Sequence, residues 1–573
     1  SMAVTGFSAN ETITVGSTAQ LDADAVAALA ATAQSIDGTA NSTAKTTAVT
    51  GSATSVFSAN GDADLSADAR SSQSANSGSI SGDGSATATT LNSTGLDFNS
   101  TTTLGADAAL QGTSVSNNAA LAASNLAIAT ATANAGINKG VDTAVPLAIG
   151  DDATITGVAN LNLDARASTQ GDDASADAAD ANAGSDSTNL AMDLAAVIGG
   201  SALVVADADL VATAVASGVV ADASSDVDLS KSTAIDVDQQ TISTGGAFTA
   251  DASSQVSSTA EALTRTGDAS AVIDVDQING LDGGDLGGSI TSGQRLQLQT
   301  EAIANNVALA TAVDADAAAV TATIDNDLTR GMSTSTLTAG ESLALSSTAK
   351  SSQLSAAQNL GDGTNDQPVS ANAAVSDNIQ GIANSTIASA GNADQLNASA
   401  ALSASAIATN QAAASTATLG SNTAVTALDS GVITIGQDAT NPVFAAETSL
   451  TSKATSTNGA ARADSAYRDT ADPASVFSPA VSTTFEPSAG NFDRIDDREY
   501  SVISINGESH LVTLSKDGSN SAKGFRVYNV DEPDAIQETA YVTKDTAGFS
   551  ALGTDNIFYA VTHPFPVSDQ FFQ

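Results

Sequence analysis

A stretch of the form ITSGQRLQLQTEA, Ile290 to Ala302, returns from end to end of the chain, and no other feature limits the fold as strongly. Its second half alternates: Leu296, Leu298, Thr300 and Ala302 share one parity, while Gln297, Gln299 and Glu301 share the other. Successive side chains of a strand point to opposite faces, so this alternation marks a β-strand with one buried side. With the strand leucine as register mark, copies fall at Leu21, Leu65, Leu104, Leu163, Leu210, Phe248, Leu298, Leu345, Leu396 and Phe444. The first and last marks lie 423 residues apart, so nine intervals average 47. A period of roughly 20 to 50 residues signals a solenoid or another repeat array.

Several copies carry an upstream corner: ITVG (Ile13 to Gly16), ISTGG (Ile242 to Gly246), LTAG (Leu337 to Gly340) and ITIG (Ile433 to Gly436). Glycine permits positive φ at a tight turn, so each copy reads as strand, corner, strand. Between the register strands run further alternating stretches such as Val307 to Asp327, whose phase slips after an alanine run. A bend or bulge between strands produces such a slip. The period therefore holds either two short coils of a β-solenoid or one coil with long strands. Asn397 to Leu419 also has the composition of an alanine-rich helix, and Gly171 to Ser187 and Gly361 to Gln367 that of disordered segments.

At 573 residues the chain exceeds the roughly 250 to 300 at which single cores stop growing. Its 42% hydrophobic content is mostly Ala and Val, with 3% aromatics and no Trp, which suits thin stacked layers better than a thick globular core. Acidic residues outnumber basic ones 64 to 18, a formal charge of −46. That field disfavours nucleic acid and anionic membranes and makes cations the expected counterparts, although solubility alone accounts for the same charge. With no cysteine, disulfides and thiolate metal sites are excluded. The best apolar run, Leu194 to Ala206, falls short of the ~20 residues that span a bilayer, so no membrane insertion is expected. The N-terminus lacks a basic region followed by an apolar core, so any export signal lies outside this sequence.

Near residue 440 the composition changes: all five Tyr, ten of fourteen Phe, seven of nine Pro, both His and half of the basic residues lie beyond it. That shift marks a domain boundary. Pro473, Pro479 and Pro487 punctuate a small-residue segment, and Tyr500 to Leu514 places two alternating strands around Asn506-Gly507, a strong hairpin signal.

Two resemblances follow. STLTAGESLALSSTAKSS (Ser335 to Ser352), GSITSGQRLQLQTEA (Gly288 to Ala302) and VTATIDND (Val320 to Asp327) resemble the repeat units of giant bacterial filamentous adhesins of the leukotoxin-like and haemagglutinin-like kind. That resemblance implies long parallel β-helices on a cell surface. HLVTLSKDGSNSAKGFRVYNVDEPDAI (His510 to Ile536) resembles one blade of an extracellular β-propeller, which implies a partial propeller or a small β domain.

Catalytic constellations are sparse. His510 and His563 are the only histidines and both lie in the tail, so the array has no histidine base. Carboxylate pairs recur at Asp22/Asp24, Asp207/Asp209, Asp274/Asp276 and Asp314/Asp316, too often for any one to mark glycoside hydrolysis. Stacked coils would set outward aspartates ~4.8 Å apart. Aligned ladders would call for Ca²⁺ or Na⁺ between them, whereas staggered, solvated pairs would not. No cofactor is therefore expected and staggered, solvated pairs are favoured, with calcium as the one alternative, because neither a GGxGxDxUx repeat nor an EF-hand loop is present and Leu281 to Ser289 is only a distant relative.

The expected architecture is all-β: an elongated right-handed parallel β-solenoid of about ten degenerate repeats over 1–455, a Pro-containing linker or cap over 456–490, and a small antiparallel β domain over 491–573. The expected role is that of a non-enzymatic structural or adhesive protein, extracellular or on a bacterial cell surface. It would act as a stalk or filament through self-assembly or attachment to a surface or glycan. The alternative is a secreted carbohydrate-active or glycan-binding protein with the tail as working module.

Overall fold

The computed structural model describes residues 2–143, 145–170, 178–219, 222–284, 287–313, 319–360, 369–374, 378–390, 395–410, 415–419, 424–435, 443–457, 460–463, 500–505, 508–516, 522–529 and 537–543. Two compact units divide the chain, Ser1–Ala480 and Val481–Gln573. All regular structure among the described residues is β-strand.

In the first unit the chain alternates between two parallel sheets. The narrow sheet opens with β1 (Met2–Val15), the wide sheet with β2 (Ala19–Ser35), and β3 (Ala40–Ala59), β4 (Ala63–Ser79), β5 (Gly84–Phe98) and β6 (Thr102–Leu104) continue the alternation. The wide sheet goes on through β7 (Ala108–Ser124), β10 (Ala153–Thr169), β13 (Ala202–Gly218), β16 (Phe248–Thr264), β19 (Arg295–Ala312), β21 (Ser342–Asn359), β24 (Gln395–Asn410) and β27 (Val443–Thr457). Opposite these lie β8 (Ala129–Thr143), β9 (Leu147–Ile149), β11 (Ala178–Asp193), β12 (Ala196–Ile198), β14 (Asp222–Asp236), β15 (Thr241–Thr244), β17 (Ala269–Asp282), β18 (Ser289–Ser292), β20 (Val320–Ala339), β22 (Val369–Ala374), β23 (Asn378–Ser389), β25 (Ser415–Leu419), β26 (Ala424–Ile435) and β28 (Ala460–Ala463). Each repeat is therefore one coil with two long sides, which decides between the two coil counts the period allowed. The fold is a parallel β-solenoid. Strands of 17 residues span roughly 56 Å, while ten strands stack to roughly 43 Å.

The wide sheet keeps unbroken register. Leu21, Leu65, Leu110, Ile155, Val204, Ala250, Leu298, Leu345, Leu396 and Phe444 form one rank across all ten strands. Six of the expected marks stand in it. Phe248 sits one inward position early, Leu163 and Leu210 further along their strands, and Leu104 in the opposite sheet. A leucine is an unreliable mark because Ile, Val and Ala fill the same slot in other coils. Asn397 to Leu419, with its helix-like composition, is strand where described, in β24 and β25. Packing between neighbouring coils overrides the high intrinsic helix propensity of alanine there.

The narrow-sheet strands slip phase midway, as in the Gly84–Phe98 burial pattern BiBiBiBeeBiBBiB (B buried, i half-buried, e exposed). The slip lets one backbone position dive across the core. Gly6, Gly51, Gly95, Gly140, Gly280, Gly331 and Gly381 occupy it, with Ala191, Ala234 and Ala427 in the remaining coils. A Cβ on Gly95 would lie 2.6 Å from the amide nitrogen of Thr113 in the wide sheet, and one on Gly140 2.6 Å from that of Val158. The two sheets thus touch backbone to backbone at a waist. The waist divides the core into an alanine-rich lobe and a lobe of Leu, Ile, Phe and Met.

Buried polar groups follow the waist. Ser114 Oγ donates to Asn138 Oδ1 at 2.6 Å and shares a hydrogen bond with Ser93 Oγ at 2.7 Å, and Asn138 Nδ2 donates to Asn189 Oδ1 of the next coil at 2.8 Å. Asn189 Nδ2 in turn reaches the carbonyls of Ala159 and Asp209, both at 3.0 Å. Being paired with one another, these groups escape most of the cost of burial.

The second unit holds β29 (Tyr500–Ile505), β30 (Glu508–Lys516), β31 (Ala522–Asn529) and β32 (Gln537–Thr543), an antiparallel sheet in chain order. The expected hairpin is present, with Ile505 paired to Glu508 across Asn506-Gly507. The parallel strands of the first unit extend to Ala463, eight residues past the boundary at 455 that composition suggested.

Candidate functional surface

The narrow sheet brings aspartates into two ranks. Asp97, Asp142, Asp193, Asp236 and Asp282 stand in register over five successive coils, just beyond the waist. Each belongs to a recurring tripeptide of small residue, aliphatic residue and Asp: GLD, GVD, AMD, AID and GLD. The small residue makes the waist, the aliphatic one enters the core, and the aspartate closes the strand. This periodic signal is present in the sequence, among the more frequent Asp-x-Asp pairs.

Lysines span this rank. Lys139 Nζ lies 3.0 Å from Asp142 and 3.2 Å from Asp193, and Lys231 Nζ lies 2.9 Å from Asp236 and 2.8 Å from Asp282. Gln240 Nε2 donates to Asp193 Oδ1 at 2.7 Å. Asp282 is 5% exposed. Burial pushes its carboxyl up, but the Lys231 ammonium and the Gly284 N–H outweigh that and hold the pKa below the usual carboxylate range. Burial pulls Lys231 down, yet Asp282 and Asp236 together drive it up to about 12. Asp97, at the start of the rank, is raised by burial and by Asp142, against the opposing pull of Asn99 and Lys139.

The second rank lies before the waist: Asp228, Asp274 and Asp325 in consecutive coils, with Asp276 and Asp327 two residues further along. Partial burial, followed by the like charges of Asp276, Asp325, Asp228 and Asp327, pushes the Asp274 carboxyl up to about 6. Asp276 is raised by burial, Asp327 and Asp325. Beside this rank opens a shallow recess of about 510 Å³ lined by Asp276, Gln277, Asp327, Arg330, Asn378 and Gln380.

A folded-state pKa raised from 3.8 means that the native protein binds the proton more tightly than the unfolded chain between those pH values. Stability contributed by this group is therefore lost as pH rises toward and through about 6. Asp274→Asn should melt higher than the parent at pH 8 and close to it at pH 4, as thermal unfolding at the two pH values would show. An equal difference at both would remove the carboxylate cluster as its cause.

The remaining expected pairs are dispersed. Asp24 aligns with Asp68 on the outer face of the wide sheet, and Asp207 and Asp209 face outward opposite Ser253 and Gln255. Asp314 and Asp316 lie outside the described residues, as does His563. His510 lies in β30 between Ile503 and Asn529. Within Leu281 to Ser289, Asp282 is paired with Lys231 at 2.8 Å, and Asp285 lies outside the described residues.

Corner aspartates have a structural task. Asp222 Oδ1 accepts the Asp268 N–H at 2.9 Å, and Asp268 Oδ1 accepts the Ala319 N–H at 2.7 Å, one coil capping the next. At another corner Asp107 caps Asp152 and Asp152 caps Ser201. Three exposed carboxylates, Asp107, Asp151 and Asp152, converge there within 4.8 Å. Much of the Asp content thus follows from turn chemistry. Among the described residues no helix is long and apolar enough to cross a membrane.

No protein-family model matches the chain, and comparison with curated proteins and with solved structures returns no match.

Proposed function

We propose that the protein is an extracellular or cell-surface structural and adhesive element in which the solenoid is the spacing scaffold. The observation that carries this reading is the in-register wide sheet, ten coils without an inserted loop large enough to form a separate domain, presenting acidic and Ser/Thr-rich outer faces. A repeat array of this kind spends its residues on neighbour contacts and offers extended flat surfaces for attachment. Its net charge of −46 suits a hydrated surface that attracts cations, calcium among them, and turns away nucleic acid. The similarity of Ser335 to Ser352 and Gly288 to Ala302 to adhesin repeats supports the same reading. Immunogold labelling of intact cells that carry the native protein tests it: label on the outer surface is expected, and label confined to the interior would overturn it. Release of sugar from polysaccharide by the purified chain would favour the carbohydrate-active alternative instead.

A further inference from the structure

The waist leaves a furrow on the outside of the narrow sheet. Lys139, Leu190, Thr233, Asn279 and Arg330 stand in register along it over successive coils. Asn279 lies between Ile278, which enters the alanine-rich lobe, and Gly280, whose missing Cβ would press on the wide-sheet backbone at Glu301. Alternation therefore turns Asn279 outward. It is nonetheless 0% exposed, as is Thr233, because the backbone beneath them has dropped toward the core.

The furrow already holds ammonium groups. Lys231 stands on one bank and reaches Asp236 and Asp282 on the other at 2.9 and 2.8 Å, and Lys139 spans Asp142 and Asp193 in the same way. In the next two coils the register position of Lys231 passes to Gln277 and Leu328, neither of which is charged. There the furrow opens into the recess of about 510 Å³.

Two observations set the chemistry of this recess. The first is a surplus of carboxylate. Asp274 and Asp276 are exposed in one coil, and Asp325 and Asp327 follow in the next. Arg330, the one cationic residue lining the recess among the described residues, donates through Nε to Gln380 at 2.9 Å. The second observation is Asn279. Its Nδ2 lies 3.4 Å from Thr233 Oγ1 of the preceding coil, which turns Oδ1 toward the following coil, where Arg330 lines the recess. That oxygen is buried and has no hydrogen-bond partner. A buried acceptor without a donor is costly, so a ligand that brings N–H groups gains by meeting it.

We propose that the recess binds a linear aliphatic polyamine laid along the stack, with one ammonium beside Asp276 and Asn279 and the next beside Asp327 one coil on. An ammonium has only donors, the complement of these acceptors, and Leu328 gives the methylene stem an apolar contact. Coils repeat every ~4.8 Å, and ammonium groups three or four methylenes apart lie about 5 to 6 Å from one another in an extended chain. A divalent metal is a poorer match, because it gathers its oxygens around one point, whereas these acceptors are strung out along the sheet.

The site stands apart from the scaffold reading, since it requires no particular location. Calorimetric titration of the full chain with spermidine at physiological ionic strength should show saturable binding at one site. Asp274→Asn combined with Asp276→Asn should weaken that binding about tenfold or more. Both side chains are exposed, so the double variant keeps the fold, which circular dichroism checks. Asp207→Asn combined with Asp209→Asn removes the same charge from the outer face of the wide sheet and should leave the binding unchanged. The inference is overturned by an absence of saturable binding, by equal weakening in the two double variants, or by displacement of spermidine by calcium at equal concentration. Binding of tetralysine where spermidine does not bind would assign the recess to a peptide and overturn it as well.

Discussion

Lys231→Met should destabilise the solenoid by about 3 to 5 kcal/mol, the cost of leaving buried charge without its partner. Lys231 Nζ is the group that spans Asp236 and Asp282 at 2.9 and 2.8 Å, and Asp282 is 5% exposed. With the ammonium gone, burial, the largest influence on the Asp282 carboxyl, is opposed by the Gly284 N–H and Arg330 alone and should lift it above the usual range, where at present it is held below. The pH dependence then reverses. In the parent, the depressed Asp282 pKa contributes stability that is present above the unfolded-state value and lost as pH falls through the folded one. In Lys231→Met, stability from this site falls as pH rises through the new, raised pKa, so the deficit is largest at neutral pH and shrinks in acid. Urea unfolding at pH 7 and pH 4 measures both. Adding Asp282→Asn removes the orphaned charge and should recover at least half of the loss at pH 7. A double variant no more stable than Lys231→Met would show that methionine packing, rather than charge, is responsible.

The strand content and the repeat were legible because a core-facing position in a long strand must be apolar every second residue, and ITSGQRLQLQTEA states that pattern directly. The register was less legible. The slot held by Leu65 and Leu110 accepts Val204 and Ala250 as well, so leucine does not mark it in every coil, and Leu104 and Leu163 stand elsewhere. The waist is not legible locally because its mark is a single small residue, Gly95, Gly140 or Ala191, in a chain full of small residues. The bridged aspartate rank needed knowledge that Lys139 of one coil reaches Asp193 of the next, 54 positions on, which no local pattern conveys. In the rank beyond the waist, two lysines bridge aspartates of neighbouring coils.

The corner glycines show how much of this fold rests on close approach rather than on unusual dihedrals. The ITxG motif suggests positive φ, yet Gly150, Gly199, Gly245, Gly293 and Gly340 are absent from the positive-φ positions, which among the described residues are Gly38, Gly184, Gly284, Gly287 and Gln239. What they share is a stack. Each N–H donates to the coil beneath, as in Gly199 to Ile149 O and Gly245 to Ile198 O, both at 2.8 Å. Each missing Cβ would press far inside contact distance of a carbonyl oxygen one coil down, that of Gly150 for Gly199 and that of Gly199 for Gly245. Because the obstacle is backbone, no side chain can swing away. The tightness grows inward, from open space at Gly16 to a 2.9 Å approach to Asn60 O at Gly105 and closer still from Gly150 onward. Gly199→Val should therefore cost about 3 kcal/mol or more, at the upper end of single substitutions, whereas Gly16→Val should change stability by less than about 0.5 kcal/mol. In an array whose stability resides in neighbour contacts, the damage should be local: native-state hydrogen exchange should accelerate in the coils either side of Gly199 and leave those beyond Gly293 near the parent rate. Equal effects at Gly16 and Gly199 would mean that the motif serves the turn itself and not the stacking of one coil upon the next.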